Sequence, residues 1–306
     1  MNTPTLAMTG ATGFVGGATL GQAVAAGWHV RALTRRPQPE REGVTWIAGA
    51  LDQPASLAEM AAGSDAVLHI AGVVNVPTRA AFETGNAVAT GHVVDAARAA
   101  GVTRFVHVSS LAARKPEISN YSWSKARAET IVRASGLDWT IVRPPAVFGP
   151  GDTEMLDLFR MARRGVALLP PAGRLSAIYV DELARLLVAL AADRDASIGA
   201  TYEPDDGHPN GWSHRSFARA IGRAVGRSHV STLAVPGVVL RAGGRLDTLV
   251  RRSRAKLTPD RARYIAHPDW VVAEGACPPA ALWQPETATG DALAETVRWY
   301  RREGWL

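Results

Sequence analysis

A glycine-rich stretch near the start of the chain, Thr9–Gly16 (TGATGFVG), limits the possible folds more than any other feature. An apolar run precedes it, and a segment rich in alanine, valine and leucine follows it. A strand, a tight glycine turn and a helix in this order offer backbone N–H groups and a positive dipole end to phosphate. We therefore expect the phosphates of a dinucleotide to contact Gly10, Thr12, Gly13, Phe14, Val15 and Gly16.

Each glycine of this turn has a physical task that a larger residue would obstruct. Gly10 permits the tight turn, because glycine tolerates backbone angles that a Cβ forbids. Gly13 lets the backbone approach a pyrophosphate closely, and Gly16 lets the helix pack against the sheet. The spacing therefore predicts a binding turn and not a simple connection.

Short apolar runs alternate with helix-like segments through the N-terminal half. The expected strands are Thr5–Thr9, His29–Leu33, Val44–Ile47, Ala66–Ala71, Arg104–Ser109 and Trp139–Val142. The expected helices Phe14–Ala26 and Asn86–Ala100 are each followed by a glycine, which is typical of a helix end. Such alternation implies right-handed crossovers and a parallel sheet with helices on both faces. We predict an α/β fold with a doubly wound parallel-sheet Rossmann domain.

The pattern loosens after residue 150, where a second region is expected. Met155–Arg164 has the pattern of a helix, and Ala177–Val180 followed by Asp181–Ala192 predicts a strand–helix unit that returns to the main sheet. From Gly207 onward, glycine, proline, tryptophan and arginine dominate. We assign residues 1–150 and about 177–205 to the Rossmann domain. Residues of about 151–176 and 206–306 are assigned to a smaller, mostly helical C-terminal cap that binds substrate.

The composition, with 47% hydrophobic and 20% charged residues, is that of a soluble globular protein. No apolar run is long enough for a membrane-spanning helix, and the first residues lack a signal-peptide pattern, so a cytoplasmic location and no integral membrane association are expected. The single cysteine, Cys277, excludes an internal disulfide and fits a reducing compartment. The histidines show no metal-ligand spacing, so we expect no metal.

The net charge of +6 is concentrated in Arg241–Lys256. We interpret this stretch as a solvated helix face, with a patch for an acidic ligand, a membrane surface or nucleic acid as alternatives. Because no zinc finger, RNA-recognition or helix-turn-helix signature accompanies it, no nucleic-acid partner is expected.

Several further motifs occur in a fixed order along the chain: Asn86–Gly91 (NAVATG), Val108–Ser110 (VSS), Tyr121–Lys125 (YSWSK), Arg143–Asp152 (RPPAVFGPGD), Tyr179–Glu182 (YVDE) and Thr296–Tyr300 (TVRWY). Together with the glycine turn, this set resembles the extended branch of the short-chain dehydrogenase/reductase superfamily over most of residues 5–200. That branch includes nucleotide-sugar epimerases and dehydratases, dihydroflavonol-type reductases and 3β-hydroxysteroid dehydrogenases. Leu257–Pro259 weakly resembles a motif of the steroid- and flavonol-type reductases. The resemblance implies a nicotinamide cofactor and hydride transfer.

Tyr121 and Lys125 are four residues apart, so a helix places both side chains on one face. A neighbouring ammonium lowers the pKa of a phenol, which lets a tyrosine exchange a proton with a carbonyl or alcohol. The resemblance also implies that the lysine holds the nicotinamide ribose. Ser110 is the candidate for orienting the substrate oxygen, with Ser109 as the alternative, and Asn86 matches a family position that supports the active-site helix.

The end of the second predicted strand indicates which nicotinamide cofactor is used. A carboxylate commonly stands there in NAD enzymes, whereas this chain has Thr34 followed by Arg35 and Arg36. Guanidinium groups suit a 2′-phosphate, so we predict NADP(H) over NAD(H).

The family's adenine-contacting Asp is replaced by Ala50, and we expect Leu51 or Asp52 to substitute. The remaining expected cofactor contacts are Ala71, Gly72, Pro144 and Val147.

The sequence predicts an NADP(H)-dependent oxidoreductase acting on a small-molecule carbonyl or alcohol. A nucleotide-sugar epimerase or dehydratase is the alternative, although the ten residues between Ser110 and Tyr121 are few for that class. A non-enzymatic cofactor-binding or assembly subunit is a further alternative, and a homodimer is possible.

Three other features of the sequence have expected roles in the structure. His69 and His107 lie in apolar strands and are expected to be core histidines with their hydrogen bonds satisfied. Arg143 is expected either to form a structural ion pair or to touch a ligand. Val235–Leu240 is expected to belong to the core, with a lining for an apolar pocket as the alternative.

Overall fold

The structure is a computed structural model that describes residues 3–252, 255 and 257–306. It divides into two compact units. The first contains Met1–Arg143, Leu183–Tyr202 and Pro278–Trp283, and the second contains Pro144–Glu182, Glu203–Cys277 and Gln284–Leu306. Residues 253, 254 and 256 of the basic stretch noted above lie outside the described residues.

The strands, in chain order, are β1 (Thr5–Thr9), β2 (His29–Thr34), β3 (Val44–Ala48), β4 (Ala66–His69), β5 (Arg104–Val108), β6 (Asp138–Val142), β7 (Ala146–Phe148), β8 (Val166–Leu169), β9 (Arg174–Leu175), β10 (Ala177–Tyr179), β11 (Thr201–Tyr202), β12 (Trp212–Ser213), β13 (Ser231–Ala234) and β14 (Asp269–Trp270). The α-helices are α1 (Phe14–Ala25), α2 (Pro54–Ala61), α3 (Arg79–Phe82), α4 (Ala89–Ala99), α5 (Asn120–Arg133), α6 (Leu156–Arg163), α7 (Val180–Ala192), α8 (His214–Ala224), α9 (Gly237–Arg251), α10 (Pro259–Ile265) and α11 (Thr289–Arg302). A π-helix spans Glu83–Val88, and a 3-10 helix spans Leu111–Arg114.

The first unit is built on a seven-stranded sheet in the order β11-β6-β5-β4-β1-β2-β3, with every pair parallel. Met8 in β1 aligns with Ala32 of β2 on one side and with Leu68 of β4 on the other. The strand order therefore reverses between β1 and β4, and such a reversal opens a crevice at the carboxyl ends of the strands. The predicted α/β Rossmann fold is confirmed.

One apolar core joins strands β1–β6 to helices α2, α4 and α5. Phe105 and Ile141 from the sheet are fully buried in it, together with Met60 of α2 and Val132 of α5. Burying each such side chain contributes about 1.5–3 kcal/mol relative to leaving it in water. The mostly apolar strands of the sequence therefore become the rigid layer from which the site loops extend.

The helix predicted at Asn86–Ala100 begins earlier and is not regular. It starts with α3, whose first turn is capped by Thr78 Oγ1 accepting from the Ala81 amide across 3.1 Å. The π-helix follows directly and continues into α4, so the predicted start at Asn86 is wrong. A π-helix inserts one extra residue per turn, and such segments are often found at functional sites.

The second unit contains the helices α6 and α8–α11 together with three small sheets. β10 pairs with β7, with Ile178 aligned to Val147, so the expected return of this strand to the main sheet is wrong. The main sheet is instead extended by β11, in which Thr201 aligns with Ile141 of β6. Two residues are too few to give a periodic signal, which is why the sequence did not reveal this strand.

Val235–Leu240 does not form the expected core segment. Val238 and Val239 lie in the first turn of α9 and are exposed to solvent. Within the described residues, no helix combines the length and the apolar character needed to cross a membrane.

Candidate active site

Most of the predicted site residues of the first unit follow the carboxyl ends of neighbouring parallel strands. The glycine turn follows β1, Arg35 and Arg36 follow β2, Leu51 and Asp52 follow β3, Ala71 and Gly72 follow β4, and Ser110 follows β5. Parallel strands end at a common edge, so these loops are brought together at the edge where this fold binds its ligand. The remaining two expected contacts, Pro144 and Val147, belong to the second unit, where Val147 is half-buried in β7.

The glycine turn has the backbone geometry that its sequence predicts. Gly10 has a φ of +78°, and a Cβ at this position would lie 2.7 Å from the Ala71 amide nitrogen. The Gly13 amide donates to Gly10 O across 2.9 Å and closes the turn. A Cβ at Gly16 would overlap Gly10 O, so the start of α1 can approach β1 only without a side chain there.

The first turn of α1 is suited to an anion. The N-cap residue Gly13 makes no side-chain capping bond, and no acidic residue stands in the first turn. Thr12 and Gly13 are exposed, whereas Phe14 and Val15 are half-buried. Helix N-termini leave backbone N–H groups without intrahelical partners, and a dinucleotide pyrophosphate satisfies them. The turn thus fits the phosphates of a nicotinamide dinucleotide.

Arg35 and Arg36 are both exposed immediately after β2. The backbone that carries them is fixed by Thr34, whose hydroxyl donates to Arg36 O across 2.7 Å and accepts from the Arg36 amide across 3.3 Å. Because β2 lies next to β1, both guanidinium groups start from a loop adjacent to the glycine turn. This arrangement leaves their charges accessible to a phosphate.

The loop after β3 holds the residues expected near the adenine. Leu51 is half-buried, Asp52 is exposed, and Leu51 O lies 2.8 Å from His92 Nδ1 of α4. This bond fixes the backbone of the loop, while the Asp52 carboxylate stays in solvent. Ala50 carries no polar side-chain atom, so any polar contact from this loop comes from its neighbours or its backbone.

Gly72 lies where the loop after β4 meets the catalytic candidates. A Cβ on Gly72 would lie 2.8 Å from Asn86 Oδ1 and 3.5 Å from Lys125 Nζ. The preceding residue, Ala71, donates its amide to Thr9 Oγ1 across 3.2 Å. The absence of a side chain at residue 72 therefore keeps both polar groups close to the loop.

Tyr121 and Lys125 occupy successive turns at the start of α5. Tyr121 is half-buried, and its ring lies 6.1 Å from that of Phe82. Lys125 is buried and donates to Val108 O, at the end of β5, across 2.9 Å. Burial lowers the pKa of Lys125 to about 8, although the Glu129 carboxylate raises it. The lysine still carries its charge at neutral pH.

Asn86 is linked to α5 through Ser124, a residue that the sequence analysis did not single out. The Asn86 amide donates to Ser124 Oγ across 2.8 Å, and Ser124 Oγ donates to Tyr121 O across 2.8 Å. The same amide also exchanges two hydrogen bonds with the backbone of Val73. Asn86 therefore ties the loop after β4 to the turn that carries Tyr121. The sequence feature that could have indicated Ser124 is its i, i+3 spacing from Tyr121 on the same helix.

The two candidate serines have different environments. Ser109 Oγ donates to Glu129 Oε1 across 2.7 Å and is committed to that carboxylate. Ser110 is buried at the end of the strand, and its Oγ accepts from the Ala112 amide across 3.2 Å. A hydroxyl that accepts one bond can still donate its proton. The geometry therefore favours Ser110 as the serine able to donate to a ligand.

Arg143 forms the structural ion pair, one of its two expected roles. Its guanidinium lies 2.7 Å from Glu129 Oε2, and Arg133 binds the same carboxylate across 3.0 Å. These two arginines and the Ser109 hydroxyl hold the pKa of the buried Glu129 carboxyl below its usual value, despite its burial. The cluster fixes α5 to the end of β6.

Beneath the site, His69 and His107 stack with their ring centroids 5.3 Å apart. His69 is satisfied as expected, since its nitrogens lie 2.7 Å from Thr9 Oγ1 and 3.0 Å from Thr90 Oγ1. Burial, followed by the charge of Lys125, lowers the pKa of His69 to about 3 and holds that of His107 well below its usual value. His107 has no hydrogen-bond partner among the described residues, so the expectation that it is satisfied is wrong.

No group of three or more metal-ligating side chains occurs in the described part of the chain. The polar groups of the site are instead backbone amides, hydroxyls, an ammonium and guanidinium groups. This set suits an anionic organic cofactor and a substrate oxygen.

Comparison with protein families finds one match over more than half of the chain. A family described as NAD(P)H-binding matches residues 10–194, which include the glycine turn and both Tyr121 and Lys125. This chain is 36% identical to a ceramide reductase of Caulobacter vibrioides, over 98% of this chain and 96% of the relative. It is also 28% identical to a 2-alkyl-3-oxoalkanoate reductase of Stenotrophomonas maltophilia, over 88% of this chain and 91% of that protein.

The fold is also similar to solved structures. A dTDP-glucose 4,6-dehydratase from Streptomyces venezuelae with NAD bound superposes with a TM-score of 0.75, covering 98% of each chain at 21% identity. At that identity the likeness concerns the fold alone. The same architecture therefore supports reductases as well as dehydratases.

Proposed function

Since this chain belongs to the NAD(P)H-binding family and has the fold of the extended short-chain dehydrogenases/reductases, we propose that it is an NADP(H)-dependent reductase acting on a carbonyl substrate. The observation that carries this proposal is the chain of contacts from Asn86 through Ser124 to Tyr121, beside a buried Lys125. These bonds hold the backbone of Tyr121, and a separate bond to Val108 O holds the Lys125 ammonium one helical turn away. A proton donor and a cation are thus available on one helix face, as carbonyl reduction requires.

The cofactor site is proposed along the carboxyl edge of the sheet. Gly10, Gly13 and Gly16 form the phosphate cradle, and the α1 N-terminus supplies the amides. The 2′-phosphate is assigned to Arg35 and Arg36, whose planar guanidinium groups match its geometry. When bound, NADP(H) supplies or accepts a hydride at the nicotinamide.

Tyr121 is proposed to give its hydroxyl proton to the substrate oxygen during reduction and to take it back during oxidation. The Lys125 ammonium stabilises the phenolate left behind, because opposite charges favour ionisation. An ammonium has three donors, so its bond to Val108 O leaves donors for a cofactor ribose. Ser110 orients the substrate oxygen, and Asn86 holds Tyr121 in place through Ser124.

The substrate class is proposed to be a carbonyl on a long alkyl chain. This inference rests on the names of the two relatives that align over most of this chain, which specify a ceramide and a 2-alkyl-3-oxoalkanoate. Both are reductases, so a net reduction is favoured over epimerisation or dehydration of a nucleotide sugar. We assign substrate recognition to the predicted cap at about 151–176 and 206–306.

The test incubates the purified chain with NADPH and two substrate panels, long-chain 3-oxo lipids and nucleotide sugars, and follows NADPH consumption. We expect net oxidation of NADPH by an oxo lipid. Tyr121→Phe should abolish turnover and keep NADPH binding, whereas Tyr202→Phe removes a phenol elsewhere in the first unit and should retain turnover. Isomerisation or dehydration of a nucleotide sugar without net NADPH consumption would refute the proposal.

A further inference from the structure

Helix α9 carries an apolar stripe that faces solvent. The stripe consists of the aliphatic side chains Val238, Val239, Leu246, Leu249 and Val250, each between 55% and 77% exposed. At 100° per residue, these positions fall within an arc of about 120° on the helix surface. A helix of a globular protein normally turns such a stripe toward the core. Here no described residue covers the stripe.

The opposite face of α9 holds the helix in place. Gly244 is buried, and a Cβ there would lie 2.9 Å from Thr258 C and 3.0 Å from Pro259 N at the start of α10. On the same side, Asp247 Oδ2 accepts from the Leu257 amide across 2.9 Å. The helix is therefore attached through its small and polar residues, which directs the apolar stripe outward.

The charge next to the stripe is positive. Arg241 and Arg245 are exposed along one of its sides, and Arg252 is exposed just past the end of the helix. The single acidic residue of α9, Asp247, lies 3.3 Å from Arg251 on the other side of the helix. A row of aliphatic side chains bordered by arginines is the pattern of a helix that lies in a lipid interface.

We propose that α9 docks this protein on the surface of an anionic lipid bilayer. The helix lies parallel to the membrane, with the apolar stripe at the boundary between headgroups and acyl chains. Arg241, Arg245 and Arg252 bind the lipid phosphates. A second copy of the chain is a poorer occupant, because a two-fold contact through the stripe brings the same arginines together and α9 offers no other carboxylate to meet them.

The inference rests on α9 alone and not on the proposed reaction, so it is tested without substrate or cofactor. The full chain is mixed with vesicles of phosphatidylcholine, with or without phosphatidylglycerol, and the bound fraction is measured by flotation. We expect binding to the anionic vesicles that weakens with added salt. Leu246→Gln combined with Leu249→Gln should lower the partition coefficient by roughly tenfold or more. Arg245→Gln should lower it about fivefold.

Matched controls separate this face from general surface effects. Ile198→Gln changes an exposed aliphatic residue and Arg219→Gln an exposed arginine, both outside α9, and both should bind as the unmodified chain does. Circular dichroism and thermal unfolding check that each variant is folded. Failure of the unmodified chain to bind anionic vesicles at low salt overturns the proposal. It is also overturned if the double variant converts a dimer to a monomer in light scattering while neither form binds vesicles.

Discussion

The side-chain amide of Asn86 donates to Ser124 Oγ across 2.8 Å, and this bond joins the π-helix to the first turn of α5. Both residues are buried, so water cannot replace the bond if one partner is removed. The position of Tyr121 therefore depends on a residue that is far from it in the sequence.

A double-mutant cycle of Asn86→Ala and Ser124→Ala tests this dependence. We expect a coupling of about 1–2 kcal/mol in the free energy of unfolding, because each single variant already breaks the shared bond. Turnover should fall roughly tenfold in each single variant while NADPH affinity stays nearly constant. Ser124→Thr keeps the hydroxyl and should restore turnover. Strictly additive losses would contradict the link.

Gly16→Ala should weaken cofactor binding by at least about tenfold, because a Cβ at Gly16 meets Gly10 O and must displace the turn. The matched control is Gly91→Ala within α4, where a Cβ would have no neighbour within 4 Å. That variant should leave NADPH binding unchanged and raise the free energy of unfolding by about 0.4–1 kcal/mol. Isothermal titration with NADPH and denaturant unfolding measure the two effects.

His107→Leu should stabilise the protein by about 1 kcal/mol at neutral pH, because it removes two buried ring nitrogens that lack partners in the described structure. His69→Leu is the contrasting control and should destabilise it, since Thr9 and Thr90 lose their shared partner. Chemical unfolding of each variant shows whether its free energy of unfolding rises or falls. Equal destabilisation by both changes would show that the His107 nitrogens are satisfied.

The same pair predicts the response to acid. Their pKa values in the folded protein lie below the ordinary 6.5, so below pH 6.5 the unfolded chain binds protons that the folded chain does not. Stability is therefore lost as the pH falls from 6.5 toward 3, by up to about 1.4 kcal/mol per pH unit for each histidine. In His107→Leu this slope should be visibly shallower; an unchanged slope would assign the acid sensitivity to other groups.

Arg35→Gln combined with Arg36→Gln should lower NADPH affinity roughly tenfold to a hundredfold and leave NADH affinity nearly unchanged. Only NADPH carries the 2′-phosphate that these guanidinium groups are proposed to bind. Arg98→Gln removes an exposed arginine from α4 and serves as the charge control. An equal loss of affinity for NADPH and NADH would mean that the arginines do not bind the 2′-phosphate.

The strand pattern of the sequence was sufficient to predict the fold because each long strand is rich in apolar residues. Thr5–Thr9 is reproduced at both ends, whereas the strand expected at Ala66–Ala71 ends at His69. Ile70 and Ala71 are apolar but belong to the loop that approaches the glycine turn. An apolar residue indicates burial but not its cause. This loop is partly buried because it approaches the glycine turn, and not because it pairs in the sheet.

Two details of the site depend on tertiary geometry that no periodic pattern encodes. The widened turn at Glu83–Val88 changes the helix register, so the direction of Asn86 could not be derived from regular spacing. His69 and His107 look alike in sequence, yet among the described residues only the nitrogens of His69 have hydroxyl hydrogen-bond partners. Identical residues in similar strands thus differ through their tertiary neighbours.

The π-helix has a consequence for how this chain can change through insertions and deletions. A π segment holds one residue more than the α-helical turn it replaces. Deleting a single residue within Glu83–Val88 would allow a regular helix to run from α3 into α4 while rotating Asn86 by about 100° around the axis. The helix would survive such a deletion, but its contact with Ser124 would not. At this segment, the number of residues in the chain therefore determines whether Asn86 reaches Ser124.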